Sequence, residues 1–207
     1  MNEHLSWRYA TKKFDPSKKV PQSEVAALLE VLRFSPSSFG LQPWKFIVIE
    51  DPALRKELKA HAWNQDQVTD ASHVIVFCAL KTMDENYIKN FVTRIAQVRG
   101  IARESLSGYE QMMIGTFKNQ KPEQTAQWMR HQIYLALGMF LSECAHQKID
   151  ACPMEGFDPK KFDEVLGLAK QGLESVVLCP IGYRAKDDHY ADMKKVRFEK
   201  NEVFIEK

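Results

Sequence analysis

The chain has 207 residues, of which 44% are hydrophobic and 27% are charged, a composition typical of globular proteins and too apolar for a disordered chain. Lys and Arg number 29 against 27 Asp and Glu, so the formal net charge is +2, too small for a protein that binds nucleic acid by bulk electrostatics. The longest uninterrupted apolar run, Val74 to Leu80, is far shorter than the ~20 residues of a membrane-spanning helix. We therefore expect neither a nucleic-acid partner nor a membrane partner.

Helical and extended patterns alternate along the first part of the chain. Ser23 can cap a helix whose apolar residues recur at helical spacing, and Pro36 ends it because the residue before a proline is pushed out of the helical region. A loop rich in Ser, Gly and Pro leads to an apolar, β-branched strand over residues 45–50. Asp51 followed by Pro52 then predicts the start of another helix.

The later elements include one long helix. The run at 73–80 predicts a strand buried on both faces, and the segment from Thr125 to about Lys148 predicts a helix that is apolar over more than half of its circumference. Such a helix is expected to lie inside the protein or at a subunit interface. The remaining predicted elements are a helix capped by Asp158, a strand over residues 175–183 and a short strand-like end at 203–205. With no repeat and no linker in the sequence, we expect one domain over residues 1–207 that mixes α and β structure.

Four cysteines are scattered along the chain, without a C-x-x-C pair and without a His at metal-ligand spacing. Each lies in or beside an apolar run, which favours buried structural thiols and predicts no metal site. The N-terminal segment also lacks the apolar stretch of a secretory signal, so a reducing, cytoplasmic location is expected. The four residues are Cys78, Cys144, Cys152 and Cys179.

Four short polar or basic segments carry the candidate chemistry, since the sequence contains no hydrolase, Walker or G-x-G-x-x-G motif. They are RYATKKF (8–14), PSSFGLQPW (36–44), PMEGF (153–157) and KKVR (194–197). Together with DASHVIVFC, and in this order, they resemble the FMN-dependent nitroreductase family. The resemblance is greatest to the branch of oxygen-insensitive NAD(P)H nitroreductases and flavin reductases, and it extends from about Arg8 to Arg197.

The resemblance implies an α+β fold with a mixed sheet flanked by helices, in an intertwined homodimer whose long central helix lies at the interface. It also implies bound FMN, with NADH or NADPH as the electron donor and a small molecule as the electron acceptor. Hydride is expected to pass through flavin N5 to a nitroaromatic, a quinone or a free flavin, in two-electron, ping-pong turnover. Because the flavin carries this chemistry, no side chain is expected to act as a general acid or base.

The phosphate of FMN carries a charge of about −2 and needs clustered cations, of which Arg offers bidentate geometry. The resemblance places Arg8, Lys195 and Arg197 at this phosphate. It places Lys12 toward the ribityl chain and the pyrimidine edge of the ring. These four side chains are the predicted cations of the cofactor site.

Five further residues are expected beside the cofactor from the resemblance. Tyr9 and Ala10 belong to the same segment as Arg8, and Ala10 stands where the related branch has a hydroxyl residue, so one hydrogen bond to the flavin is lost. Asn64 matches the position that bonds the pyrimidine side. Glu155 and Gly156 match positions whose backbone groups approach N5 and O4, and a glycine lets a flat ligand come close. The segment PMEGFD also fits a plain turn before a helix.

The loop between the first long helix and the first strand is assigned by the resemblance to the flavin of the other subunit. Pro36, Ser37, Ser38 and Gly40 are expected to contact that flavin across the dimer interface. The same loop is interpretable as a helix-to-strand connection with Trp44 in the core. Both roles can hold together.

Lys12, Phe39, Gln67 and Ile114 are the expected contacts of the nicotinamide or the acceptor. Gln67 stands where the related branch has Lys, which leaves the preference between NADH and NADPH open. Residues 100–125 either cover the site and gate the acceptors or form core helices, and the sequence does not separate these interpretations.

Two other functions stay open on the same fold. One is reduction of a dihydropteridine or an enone, and the other is storage or sensing of FMN without turnover. A basic interaction module built on residues 194–197 is disfavoured, because Asp187, Asp188, Asp192 and Glu199 dilute its charge.

Overall fold

The computed structural model describes residues 3–207 and consists of helices packed around one sheet. The strands are β1 (Trp44–Ile49), β2 (His73–Leu80), β3 (Asp150–Ala151) and β4 (Leu173–Gly182). The helices are α1 (Glu3–Trp7), α2 (Gln22–Phe34), α3 (Pro52–Ala60), α4 (Gln67–Asp70), α5 (Glu85–Arg99), α6 (Ser107–Lys118), α7 (Pro122–His146), α8 (Pro159–Val165) and α9 (Lys200–Val203). The predicted α+β class is confirmed.

The sheet has the order β1-β2-β4-β3, and each neighbouring pair of strands is antiparallel. The predicted mixture of parallel and antiparallel strands is wrong. Within the described residues, the one parallel contact is a bridge between Ala10 and Ala151. The segment around Ala10 makes no further parallel pair, and Phe14 beyond it forms an antiparallel bridge with Arg184, just after β4, so this segment is not a parallel strand. The parallel bridge nevertheless fixes the N-terminal segment against the short edge strand β3.

The two faces of the sheet bury alternate residues of β2, whose side chains point to opposite sides. Ile75 and Phe77 pack on one face with residues of α2 and α7, and Val74 and Val76 pack on the other with residues of α3 and α8. A third apolar cluster joins α5 and α6. The prediction that β2 is buried on both faces is confirmed.

Helix starts were predicted with mixed success. The carboxylate of Asp51 accepts a hydrogen bond from the amide of Ala53 at the start of α3, and that of Asp158 caps α8, as predicted. The predicted cap at Ser23 is wrong, because α2 begins one residue earlier and the carbonyl of Pro21 accepts its first hydrogen bonds. The predicted end of α2 before Pro36 is confirmed.

The long helix α7 buries one side and exposes the other. Met129, Ile133 and Phe140 are buried against the sheet, whereas Tyr134, Leu135 and Met139 are exposed. A Cβ on Gly138 would meet nothing within 4 Å in this chain. The helix therefore carries an uncovered apolar face. Within residues 3–207, no helix combines the length and the hydropathy that crossing a bilayer requires.

The strand predicted at 203–205 is wrong, because the short helix α9 ends at Val203 and the residues after it form no strand. The carboxylates of Glu199 and Glu202 each accept the other residue's backbone amide at its start, and no neighbouring strand of the chain offers a ladder. Phe204 and Ile205 follow this helix and are largely exposed to solvent, Ile205 by 84%.

Candidate functional site

A cationic cavity of about 340 Å³ lies between the N-terminal segment and the segment before α9. It brings together six of the residues expected at the cofactor, four of them basic. Its lining residues are Arg8, Tyr9, Ala10, Lys12, Tyr190, Met193, Lys194, Lys195 and Arg197. Sequence positions nearly two hundred residues apart thus converge on one site.

The positive charge of this cavity has no acidic counterpart among the described residues that line it. The ammonium of Lys195 donates a hydrogen bond to the backbone carbonyl of Arg8. Partial burial lowers the pKa of Lys195, and the charges of Arg8 and Arg197 lower it further. Like charges held this close stabilise an anion bound among them, and several cations at one point are what a phosphate group requires.

The carboxylate of Asp188 joins the two segments that form this cavity. The carboxylate of Asp188 accepts hydrogen bonds from the amides of Lys12 and Lys13 and from the hydroxyl of Tyr9. Burial raises the pKa of Tyr9, and so does this hydrogen bond. The guanidinium of Arg184 lies over the ring of Tyr9, 4.6 Å from its centroid. No motif pointed to Arg184, and Asp188 was considered only as a charge that dilutes the basic segment.

A second group of predicted residues meets where two loops touch. The side-chain amide of Gln65 donates to the carbonyl of Gly156 at 2.8 Å, so the loop that holds Asn64 lies against the PMEGF segment. Trp63 and Asn64 both adopt left-handed backbone conformations, with φ of 51° and 52°. A Cβ on Gly156 would lie 2.8 Å from the indole of Trp63. In this chain, the flat group that requires a glycine at 156 is therefore the ring of Trp63.

Glu155 extends from the same segment toward α7. The hydroxyl of Tyr134 donates a hydrogen bond to its carboxylate. Burial and then this hydrogen bond raise the pKa of Tyr134 to about 12. The two side chains line an open cavity of about 600 Å³ beside the PMEGF segment. No motif pointed to Tyr134, which lies within the helix predicted from Thr125 to about Lys148.

The loop between α2 and β1 is held by three helices. Gln132 of α7 accepts a hydrogen bond from the amide of Ser38, and the hydroxyl of Tyr109 in α6 donates to the carbonyl of Phe39. Gly40 has φ +73° and lies against Phe91 of α5. The predicted contacts Pro36, Ser37, Ser38 and Gly40 are absent from the described residues that line the cationic cavity. Trp44 is buried in the core, as the connection interpretation expects.

Two predicted substrate contacts lie elsewhere in this chain. Gln67 is buried at the start of α4. Ile114 is buried between α5 and α6 and lines a separate cavity of about 280 Å³. Within residues 100–125, Met113 and Phe117 are buried while Met112 is exposed, so this segment has a core side and a free side.

We expect all four thiols to resist iodoacetamide in the native protein at mildly alkaline pH. Each cysteine is free and buried. Burial raises the pKa of Cys78 to about 12, so little of the reactive thiolate forms. Mass spectrometry should find no carbamidomethyl group before unfolding and four afterwards. Stoichiometric labelling of the folded protein would refute a structural role for the modified thiol.

Taken together, the fold and the cavity define an α+β protein with a cationic cavity whose charge suits an anion such as a phosphate. Comparison with known proteins specifies its family. The sequence profile described as the Nitroreductase family matches residues 5–183. The chain belongs to the Nitroreductase family, as its ordered motifs predict.

Curated relatives cover nearly the whole chain. The oxygen-insensitive NAD(P)H nitroreductase of Salmonella typhimurium is 35% identical over 198 residues, which are 92% of this chain and 91% of that protein. The enzyme of the same name from Enterobacter cloacae is 32% identical over 212 residues, with coverage of 96% and 95%.

Solved structures share the fold. A nitroreductase-like protein from Streptococcus mutans superposes with a TM-score of 0.85 at 23% identity, covering 98% of this chain and 97% of that one. A protein from Exiguobacterium sibiricum, solved in complex with FMN, superposes with a TM-score of 0.82 at 24% identity, covering 99% and 96%.

Proposed function

We propose that the protein is a homodimeric FMN-dependent oxidoreductase that uses NADH or NADPH to reduce nitroaromatics, quinones or flavins. The observation that carries this proposal is the cluster of Arg8, Lys195 and Arg197 around one cavity without an acidic lining residue among those described. The relatives named NAD(P)H nitroreductases and the FMN complex of a structural neighbour support the same assignment.

The residues of the cavity fit the phosphate end of FMN. Arg8 and Arg197 offer guanidinium groups that can bind phosphate in a bidentate manner. Burial lowers the pKa of Lys195, and the charges of Arg8 and Arg197 lower it further, a repulsion that a bound anion would relieve. Lys12 lines the same cavity and reaches toward the ring. Bound FMN supplies the two-electron hydride chemistry between the nicotinamide and the acceptor.

The remaining predicted contacts divide between one subunit and its partner. Asn64, Glu155 and Gly156 lie on two touching loops of one chain, where backbone groups can bond the ring. Ser37 and Ser38 lie on a loop fixed by α7 and apart from the cationic cavity. These hydroxyls complete the site of the partner subunit, which explains why one chain alone holds an incomplete set.

A second copy of the chain has a matching surface to occupy. Strand β1 is at the edge of the sheet and borders a groove of about 660 Å³, here called the β1 groove. Its walls combine aromatic side chains with three cations, Arg33, Lys45 and Arg94. The C-terminal tail offers the complement, because apolar residues 203–205 are exposed between Glu202 and Glu206. The partner's tail lies in this groove, and α7 packs near the two-fold axis.

Steady-state assays test the proposed activity directly. The purified protein should be yellow from bound flavin, and it should oxidise NADH or NADPH when menadione or nitrofurazone is added. A colourless protein that FMN cannot reconstitute would refute the cofactor assignment. A yellow protein without turnover for any of these acceptors would instead favour FMN storage or sensing.

A further inference from the structure

Asp188 is a buried carboxylate whose oxygens accept hydrogen bonds from neutral donors and pair with no cation among residues 3–207. It is 4% exposed, and burying a charge is costly unless hydrogen bonds satisfy it. One oxygen accepts from the hydroxyl of Tyr9 at 2.9 Å and from the amides of Lys12 at 2.9 Å and Lys13 at 3.0 Å. The other accepts from the amide of Tyr190 at 3.2 Å.

These partners belong to the two segments that form the cationic cavity. The segment from Arg8 to Lys13 supplies Arg8 and Lys12, and the segment after Tyr190 supplies Lys195 and Arg197. Asp188 bonds to both segments at once, and it is not itself a lining residue of the cavity. Its position is therefore behind the cations rather than among them.

A second set of contacts, made by Arg184, supports the same arrangement. The guanidinium of Arg184 pairs with the buried carboxylate of Asp150 at 2.6 Å. It lies between two rings, 4.2 Å from the centroid of Trp7 and 4.6 Å from that of Tyr9. These contacts orient Tyr9 but make no hydrogen bond to the main chain of Lys12 or Lys13. Among residues 3–207, only Asp188 accepts hydrogen bonds from those two amides.

A carboxylate suits this place for an electrostatic reason as well. Burial lowers the pKa of Lys195, and the positive charges of Arg8 and Arg197 lower it further, so the cations of the cavity repel one another. A fixed negative charge behind them offsets part of this repulsion without competing for the ligand in front. A neutral residue would lose this offset and would leave buried amides with a poorer acceptor.

We infer that Asp188 is a positioning residue of the phosphate site, which holds the two cationic segments at the spacing at which they engage the phosphate of FMN. This inference rests on the proposed function. Its specific consequence is that Asp188 governs recognition of the phosphate and leaves recognition of the flavin ring to other residues. Riboflavin, which has the same ring and no phosphate, separates the two effects.

The test compares FMN and riboflavin binding to apoprotein by fluorescence titration. For Asp188→Asn, which keeps the size of the side chain, we expect FMN affinity to fall about tenfold, the scale of one lost charge-assisted hydrogen bond. Riboflavin affinity should stay within about twofold, since binding of the ring needs no charge from Asp188. Asp188→Ala removes every acceptor and should lower FMN affinity further.

Asp187→Asn is the matched control. Its side chain is 67% exposed and pairs only with the ammonium of Lys13 among the described contacts, so this variant should bind both ligands as the parent does. Equal losses of FMN and riboflavin in Asp188→Asn, or no loss of either, would overturn the positioning role. A parent protein that binds riboflavin as tightly as FMN would show that the phosphate site itself is misassigned, and the role of Asp188 would fall with it.

Discussion

Arg197→Ala is expected to weaken FMN binding by roughly ten- to a hundredfold, or ~1.5–3 kcal/mol, the contribution of a hydrogen bond to a charged group. Arg197 lines the cationic cavity, and its guanidinium donates to the carbonyl of its own neighbour Val196 rather than to a carboxylate. Its charge is therefore available to a phosphate. Fluorescence titration of the apoprotein with FMN measures the change.

Two further variants serve as controls for this prediction. Arg197→Lys keeps the charge and loses the bidentate geometry, so its affinity should lie between those of the parent and the Ala variant. Arg99→Ala removes an exposed positive charge at the end of α5, away from the cavity lining, and should leave binding unchanged. If titrations of Arg197→Ala and the parent overlay, the phosphate lies elsewhere.

The strands and helices that could be predicted from the sequence are those whose own residues determine their structure. An uninterrupted apolar run makes β2 a buried strand, and Asp51 before Pro52 combines a capping carboxylate with a residue suited to the first turn. The end at 203–205 has no such determinant. Its apolar residues are compatible with a strand, but a strand exists only through its ladder, and this chain alone provides none.

The cofactor site shows the same limit at the level of side chains. Arg8, Lys12, Lys195 and Arg197 could be placed from the ordered motifs, and the structure brings them to one cavity. Asp188 was treated only as a charge that dilutes a basic segment, equivalent to its neighbours. Burial separates Asp188 from the exposed Asp187 beside it, and burial depends on how distant segments pack, which no local pattern reports.

Trp63 was missed for a related reason. The helix predicted after Pro52 extends through Trp63, whereas α3 ends at Ala60, and Trp63 is 76% exposed, which gives it no signature of a core residue. Its ring lies against Gly156 only because residues 63 and 64 both adopt positive φ. Non-glycine residues seldom adopt this conformation, so a sequence pattern does not anticipate the contact.

Truncating the chain after Lys200 is expected to weaken the dimer and to lower FMN occupancy together. The truncation removes Val203, Phe204 and Ile205, which are exposed in the single chain and which we propose lie in the β1 groove of a second copy. Burial of a side chain of this size contributes ~1.5–3 kcal/mol, so losing both tails should raise the dimer dissociation constant by at least about a hundredfold. Sedimentation velocity measures the association, and the ratio of flavin to protein absorbance measures occupancy.

Truncation after Glu206 is the matched control, because it removes only Lys207 and keeps the apolar residues with both flanking carboxylates. The single-chain fold should survive both truncations, since residues 203–205 belong to none of the apolar clusters among the described residues. The proposed site places the loop holding Ser37 and Ser38 at the flavin of the other subunit, so ligand binding and dimerisation are linked and occupancy should fall with association. A chain truncated after Lys200 that sediments as a monomer, yet keeps full FMN and full turnover, would show that one subunit contains the entire site. A truncated chain that remains a tight dimer would show that α7, rather than the tail, holds the partner.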